Sequence, residues 1–141
     1  MTDEELDLNQ EADIELTDHH EIVRLLALTP KLVMKCEEAV QRADEALDRA
    51  QDSLDVEKAK MHLKASEDSS LTAAPDRVAW ARTQPSVTKA HIAVINAKAE
   101  LKICQLRARK YENYFTSIRK AANIFETLEN AAMARQKYSQ N

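Results

Sequence analysis

Residues 87–115 read VTKAHIAVINAKAELKICQLRARKYENYF, a stretch without glycine or proline in which apolar side chains recur every three or four residues. The repeat continues to residue 125, and its members are Val87, Ala90, Val94, Ala97, Leu101, Cys104, Ala108, Tyr111, Phe115, Ile118, Ala122 and Phe125. This spacing places the side chains on one face of an α-helix that packs against another helix. The stretch therefore predicts one long helix over about 86–137.

The same spacing occurs earlier in the chain and supplies the partner helix. Its members are Val33, Cys36, Val40, Ala43, Leu47, Ala50, Leu54 and Met61. They predict a helix over about 30–65, which ends where the polar sequence SEDSS interrupts the pattern. Residues 66–85 form the connector, with one short helical turn around Asp76–Arg82. The two long helices would form a hairpin.

A short helix over about 19–28 is expected before this hairpin. Asp18 and Glu21 have the spacing of a capping box, and Pro30 favours a break, with Thr29 capping the helix that follows. Residues 1–17 are polar and acidic, and we interpret them as a flexible arm. The remainder, 18–141, is expected to be a single helical domain.

The fold class predicted from these patterns is all-α, because a chain of 141 residues without any glycine is poor in the hairpin turns that sheets require. A second apolar stripe lies beside the first on the long helix and consists of Ile92, Ile95, Ala99, Ile103 and Leu106. A helix with two apolar faces contacts two neighbours. We therefore expect an elongated helical hairpin that assembles into a coiled-coil-like homo-oligomer.

Several classes of protein are disfavoured by what the sequence lacks. No run approaches the roughly 20 apolar residues of a membrane span, and the acidic start has no signal-peptide features, so we expect a cytoplasmic protein that does not bind membranes. Cys36 and Cys104 fall on the apolar stripes, which favours buried free thiols over a disulfide or a metal site.

Motifs of catalysis are not found in the sequence. A glycine-rich phosphate loop is impossible without glycine. The neighbours His19 and His20 point to different sides of a helix and cannot act as a pair of metal ligands at i and i+4. We therefore expect no enzyme, no metal and no cofactor.

Charge is distributed unevenly along the chain. Residues 1–23 carry nine acidic side chains and no Lys or Arg, whereas residues 77–137 carry twelve basic and four acidic ones. Two basic clusters, each near one end of the connector, give the candidate DNA-binding residues Lys58, Lys60, Lys64, Arg77, Trp80 and Arg82. Lysines neutralise phosphates, and an exposed tryptophan stacks on bases, so this combination is typical of single-strand binding.

The chain also resembles the UvsY-type recombination mediators of tailed phages. The resemblance rests on three stretches, TPKLVMKCEEAV at 29–40, EKAKMHLKA at 57–65 and the long segment from Asp76 to Phe125. It covers roughly residues 20–135. The family's basic pair lies near the end of the helix before the connector, and the matching positions lie within Lys58, Lys60 and Lys64. Where the family pairs a lysine with an arginine, this chain has Ser66 after LKA.

The resemblance implies a function and a set of partners. Such mediators form ring-shaped homo-oligomers, with seven subunits in the best-known member, and bind single-stranded DNA in the infected bacterial host. They help to load a RecA-like recombinase onto strands covered by single-strand-binding protein. Trp80 has no counterpart in the family that we can carry over, so its role rests on the physical argument alone.

A different class of function fits the same helices. A structural coiled-coil adaptor or scaffold would use its lysines and arginines only as a solvated surface. It would oligomerise without binding nucleic acid, and Trp80 would then pack against a helix end or a partner. A helical chaperone for a secreted partner is a third interpretation, supported only by the acidic arm.

Overall fold

A computed structural model describes residues 19–140, which form three α-helices and no strand. Helix α1 spans His19–Glu67, α2 spans Ala74–Arg82 and α3 spans Pro85–Ser139. The prediction of an all-α fold is confirmed for this part of the chain. The predicted acidic arm 1–17 and the predicted cap Asp18 lie outside the described residues. The connector turn predicted around Asp76–Arg82 is the nine-residue helix α2.

The predicted break at Pro30 is not present, because Pro30 lies inside the continuous helix α1. A proline inside a helix removes one N–H donor and costs about 3 kcal/mol. The carbonyl that loses its helical partner is that of Leu26, four residues before Pro30. Thr29, predicted as a cap, is instead fully buried, and its Oγ1 makes no hydrogen bond. Burial of the neighbouring apolar residues outweighs the local preference for a break.

Contacts within the chain divide it into two compact units. The central unit comprises Met34–Arg109 and contains α2 with the adjoining parts of α1 and α3. Its main core cluster consists of Leu54, Met61, Ala81, Val87 and Val94. Because Leu54 and Met61 of α1 meet Val87 and Val94 of α3, whereas Cys36 lies near Cys104, the two helices run antiparallel in this unit.

The terminal unit contains the described residues 19–33 and 110–140. Its core is formed by Ile22, Leu25 and Ile118, which are at most 1% exposed. The partly buried side chains around this core are Leu26, Tyr114, Ala121, Ala122 and Phe125. The ring of His19 meets the ring of Phe125 edge-on at 6.0 Å between centroids. The first turns of α1 are thus held on α3 by aliphatic and aromatic contacts.

Both cysteines belong to the central unit and are buried free thiols, as the sequence predicts. Burial raises the pKa of the Cys36 thiol, and the charge of Arg107 opposes this shift only in part. A thiol with a raised pKa is a poor nucleophile at neutral pH. Cys36 therefore packs as a small apolar side chain, whereas the buried Cys104 Sγ donates a hydrogen bond to Glu100 Oε1 at 3.8 Å.

Replacement of Ile118 by Ala tests the core of the terminal unit. We expect a loss of about 2–5 kcal/mol in the free energy of unfolding, because a fully buried aliphatic side chain leaves a cavity. The matched control is Ile124→Ala on the same helix, since Ile124 is 61% exposed and its truncation should change stability little. Urea unfolding followed by circular dichroism measures both, and equal losses would contradict the assigned core.

Replacement of Pro30 by Ala tests whether α1 is continuous. The variant regains a backbone donor in a helix interior, so we expect it to be more stable than the unchanged chain by up to about 3 kcal/mol. Pro85→Ala is the control, because Pro85 begins α3, where a proline costs least. Thermal unfolding compares the two variants, and a destabilised Pro30→Ala variant would support a helix break instead.

Candidate nucleic-acid interface

The three candidate lysines lie on the last turns of α1, in the central unit. Lys58, Lys60 and Lys64 are all exposed. At about 100° per residue, Lys60 and Lys64 share one side of the helix, whereas Lys58 lies on the other side of the buried stripe. Lys60 Nζ is 3.2 Å from Glu57 Oε1. An ion pair at the surface contributes at most about 1 kcal/mol, so a phosphate can compete for this lysine.

A short ordered turn leads from these lysines to α2. The backbone N–H and the hydroxyl of Ser70 both donate to Asp68 Oδ1, at 2.9 and 2.7 Å. Both hydrogen bonds lower the pKa of the Asp68 carboxyl, and the bond from the Ser70 hydroxyl has the larger effect. Asp68 therefore stays ionised near the basic cluster, and its charge is engaged by Ser70 rather than by a lysine.

Trp80 lies on α2 and packs against the core cluster of the central unit, together with Leu47, Ala50 and Ala90. Its ring is partly buried. Its carbonyl ends the helix by accepting hydrogen bonds from Thr83 Oγ1 at 2.7 Å and from Gln84 Nε2 at 3.1 Å. Trp80 thus joins α2 to α1 and α3, and only part of its ring is open to solvent.

Arg77 lines an open groove between the end of α1 and α2. The groove has a volume of about 560 Å³ and is lined by Ala59, His62, Leu63, Ser66, Ala74, Arg77 and Val78. Arg77 Nη2 donates to the carbonyl of Thr72 at 3.0 Å, while its Nε is buried without an acceptor. One donor of Arg77 therefore holds the connector while the side chain lines the groove.

The six candidate residues are thus brought to one end of the central unit but not to one surface. By helical geometry, Lys58 and Lys60 flank the α1 wall of the groove, whereas Lys64 lies roughly 150° around the helix from that wall. Arg82 is exposed at the last position of α2. A strand that contacted all of them would have to wrap around the end of α1.

The groove itself was not predicted from the sequence. Leu63 and Val78 are 67% and 37% exposed, and both lie outside the three-and-four stripes. An apolar residue that interrupts the polar side of an amphipathic helix is the signal that could have indicated this surface. His62 and Ser66 carry no such signal, because they are ordinary residues of a solvated helix.

Neither a metal site nor a membrane span is found in the described part of the chain. Residues 19–140 contain no group of three His, Cys, Asp or Glu side chains placed to hold a metal ion. Of the three helices, none combines the length and the apolar character needed to cross a membrane.

The chain matches no protein-family model, no curated protein and no solved structure.

Replacement of Trp80 by Ala tests its role in the fold. A fully buried aromatic ring costs about 3–5 kcal/mol when truncated, and because Trp80 is only partly buried we expect a loss of about 2 kcal/mol. Val78→Ala, on the more exposed side of α2, should change the free energy of unfolding much less. Chemical unfolding compares the two variants, and an unchanged stability of Trp80→Ala would show that the ring does not support the core.

Proposed function

We propose that this protein binds single-stranded DNA through the end of its central unit where α1 meets α2. The observation that carries the proposal is the exposure of Lys58, Lys60 and Lys64 on consecutive turns, with Arg82 exposed on the next helix. Such a cluster attracts a polyanion and releases its counterions on binding. Contacts of this kind are tolerant of sequence and sensitive to salt.

Single strands fit this surface better than duplexes. None of the three helices within residues 19–140 has side chains arranged to read base edges in a groove. A flexible strand can follow lysines on two sides of α1, whereas a stiff duplex cannot bend around one helix. The open part of the Trp80 ring can stack on one base while its other edge stays in the core.

The resemblance to UvsY-type mediators suggests what the binding serves. The proposed function is to help load a RecA-like recombinase onto strands covered by single-strand-binding protein, in the cytoplasm of a phage-infected bacterium. A homo-oligomeric ring would present the lysines many times over, so that weak contacts act together at high effective concentration. The recombinase and the single-strand-binding protein are the proposed protein partners.

A structural coiled-coil scaffold without nucleic-acid binding is the second candidate. The packing of Trp80 on the core cluster favours it, because a scaffold requires this ring only as a contact between helices. The two candidates differ in whether the exposed lysines have a ligand.

The triple variant Lys58→Ala, Lys60→Ala and Lys64→Ala tests the proposed site. A labelled oligo-dT is titrated with the protein at several salt concentrations, and the anisotropy of the label reports binding. Each single-strand phosphate contact contributes a slope of roughly −0.7 in log affinity against log salt, so the loss of three contacts should reduce the slope by about 2. Circular dichroism confirms that the variant is folded.

The matched control removes the same charge from α3 in the terminal unit, through Lys120→Ala, Arg135→Ala and Lys137→Ala. This control should keep the slope of the unchanged protein. Equal effects of the two triple variants would mean that binding follows overall charge and not the proposed site. If the unchanged protein does not bind oligo-dT at low salt, the scaffold interpretation replaces the proposal.

A further inference from the structure

We infer that the central unit associates with a second copy of the chain through opposite sides of its helix pair, α3 of one copy packing on α1 of the next. The surface on α3 is the apolar stripe of Ile92, Ile95, Ala99, Ile103 and Leu106, all exposed. The four larger side chains are each about half exposed, between 49% and 55%. This inference does not require the protein to bind DNA.

The stripe on α3 is compact and faces away from α1. At about 100° per residue its five members fall within an arc of about 80°, centred about 170° from the buried stripe of the same helix. Contiguous apolar faces of this kind are uncommon on the free surface of a protein and mark interaction sites. The side of α3 that does not contact α1 is therefore built to contact another helix.

Charges beside the stripe indicate the partner. The segment 85–109 of α3 carries five basic side chains and one acidic one, and Lys98 and Lys102 follow one edge of the stripe. Neither lysine makes an ion pair within residues 19–140. Two copies of this surface would repel each other, so α3 is poorly suited to pair with another α3. The stripe needs a partner that is negatively charged.

The outer side of α1 supplies that charge. Residues 36–56 carry seven acidic and two basic side chains. Four of the acids, Glu38, Glu45, Asp48 and Asp52, are exposed and lie together about 170° from the buried stripe of α1. This acidic face and the stripe on α3 therefore lie on opposite sides of the same helix pair.

The two surfaces also match in position along the helices. Val94 of α3 packs in the same cluster as Leu54 of α1, and Cys104 of α3 lies near Cys36 of α1. Lys98 and Lys102 lie between the first pair and the second on α3. Glu45 and Asp48 lie between the same two pairs on α1. A second copy placed side by side would bring these lysines against these carboxylates.

Apolar side chains on the outer side of α1 stand at both ends of this charged zone. Val56 is 52% exposed at the level of Ile92, and Met34 is 59% exposed near that of Leu106. The second copy would cover them with the ends of the α3 stripe. Such a contact is heterologous, because different surfaces of the two copies meet, and it repeats from copy to copy until a ring closes or a chain grows.

Sedimentation of the 141-residue chain tests the inferred interface. The unchanged protein should sediment as an oligomer, and Ile95→Asp with Ile103→Asp should reduce it to the monomer of 16.0 kDa with an unchanged helix signal. The control Ala93→Asp places the same charge on α3 but outside the stripe, and it should leave the oligomer intact. A monomeric unchanged protein, or an oligomer that survives the double substitution, would overturn the inference.

Charge reversal identifies the partner surface. One variant carries Lys98→Glu and Lys102→Glu, and a second carries Glu45→Lys and Asp48→Lys. Each variant alone should be monomeric, because like charges then face each other across the interface. An equal mixture of the two variants should form oligomers again, because opposite charges face each other. If the mixture stays monomeric, or if only the α3 variant dissociates, then α1 is not the partner and α3 contacts another α3 or a different protein.

Discussion

Antiparallel packing of α1 on α3 is the interaction on which the rest of the central unit depends. The two apolar stripes are rich in alanine, which lets the helices approach closely but leaves little apolar area for each residue to bury. The large side chains of the core are therefore few, and they gather at the end of the unit where Leu54, Met61, Val87 and Val94 meet Trp80. This cluster holds α2 in place, and with α2 the candidate residues Arg77, Trp80 and Arg82.

Much of this fold could be predicted from the sequence, because a repeat of three and four residues has only one regular interpretation. All members of the two stripes are buried or partly buried, and the second stripe on α3 is exposed throughout. The continuity of α1 could not be predicted. Pro30 and Thr29 are local signals for a break, and their effect is overridden by contacts of Ile22 and Leu25 with Ile118, which is distant in the sequence.

The candidate site could be predicted only in part for a similar reason. Helical spacing placed Lys60 and Lys64 on one side of α1, and both are exposed. Sequence alone gave no way to know that Trp80 would face the core while Arg77 would face a groove, because that depends on how α2 docks. Trp80 packs against the core cluster and so contributes to the fold whether or not it also contacts a ligand. This packing explains why an aromatic residue lies in the connector between two cations. The core would fix the orientation of the ring before any base stacked on it.

The segregation of charge connects the proposed function with assembly. Acidic side chains dominate residues 36–56 of α1, whereas basic ones dominate the last turns of α1 and the segment 85–109 of α3. Under the two proposals, one pair of helices would offer one surface to a second copy and another to a polyanion. The most direct test is photocrosslinking of the unchanged protein to an oligonucleotide that carries bromodeoxyuridine, with the crosslinked peptides identified by mass spectrometry. We predict crosslinks within residues 57–84, with Trp80 among them. Crosslinks confined to residues 110–140, or none under conditions in which the strand is bound, would rule out this binding surface.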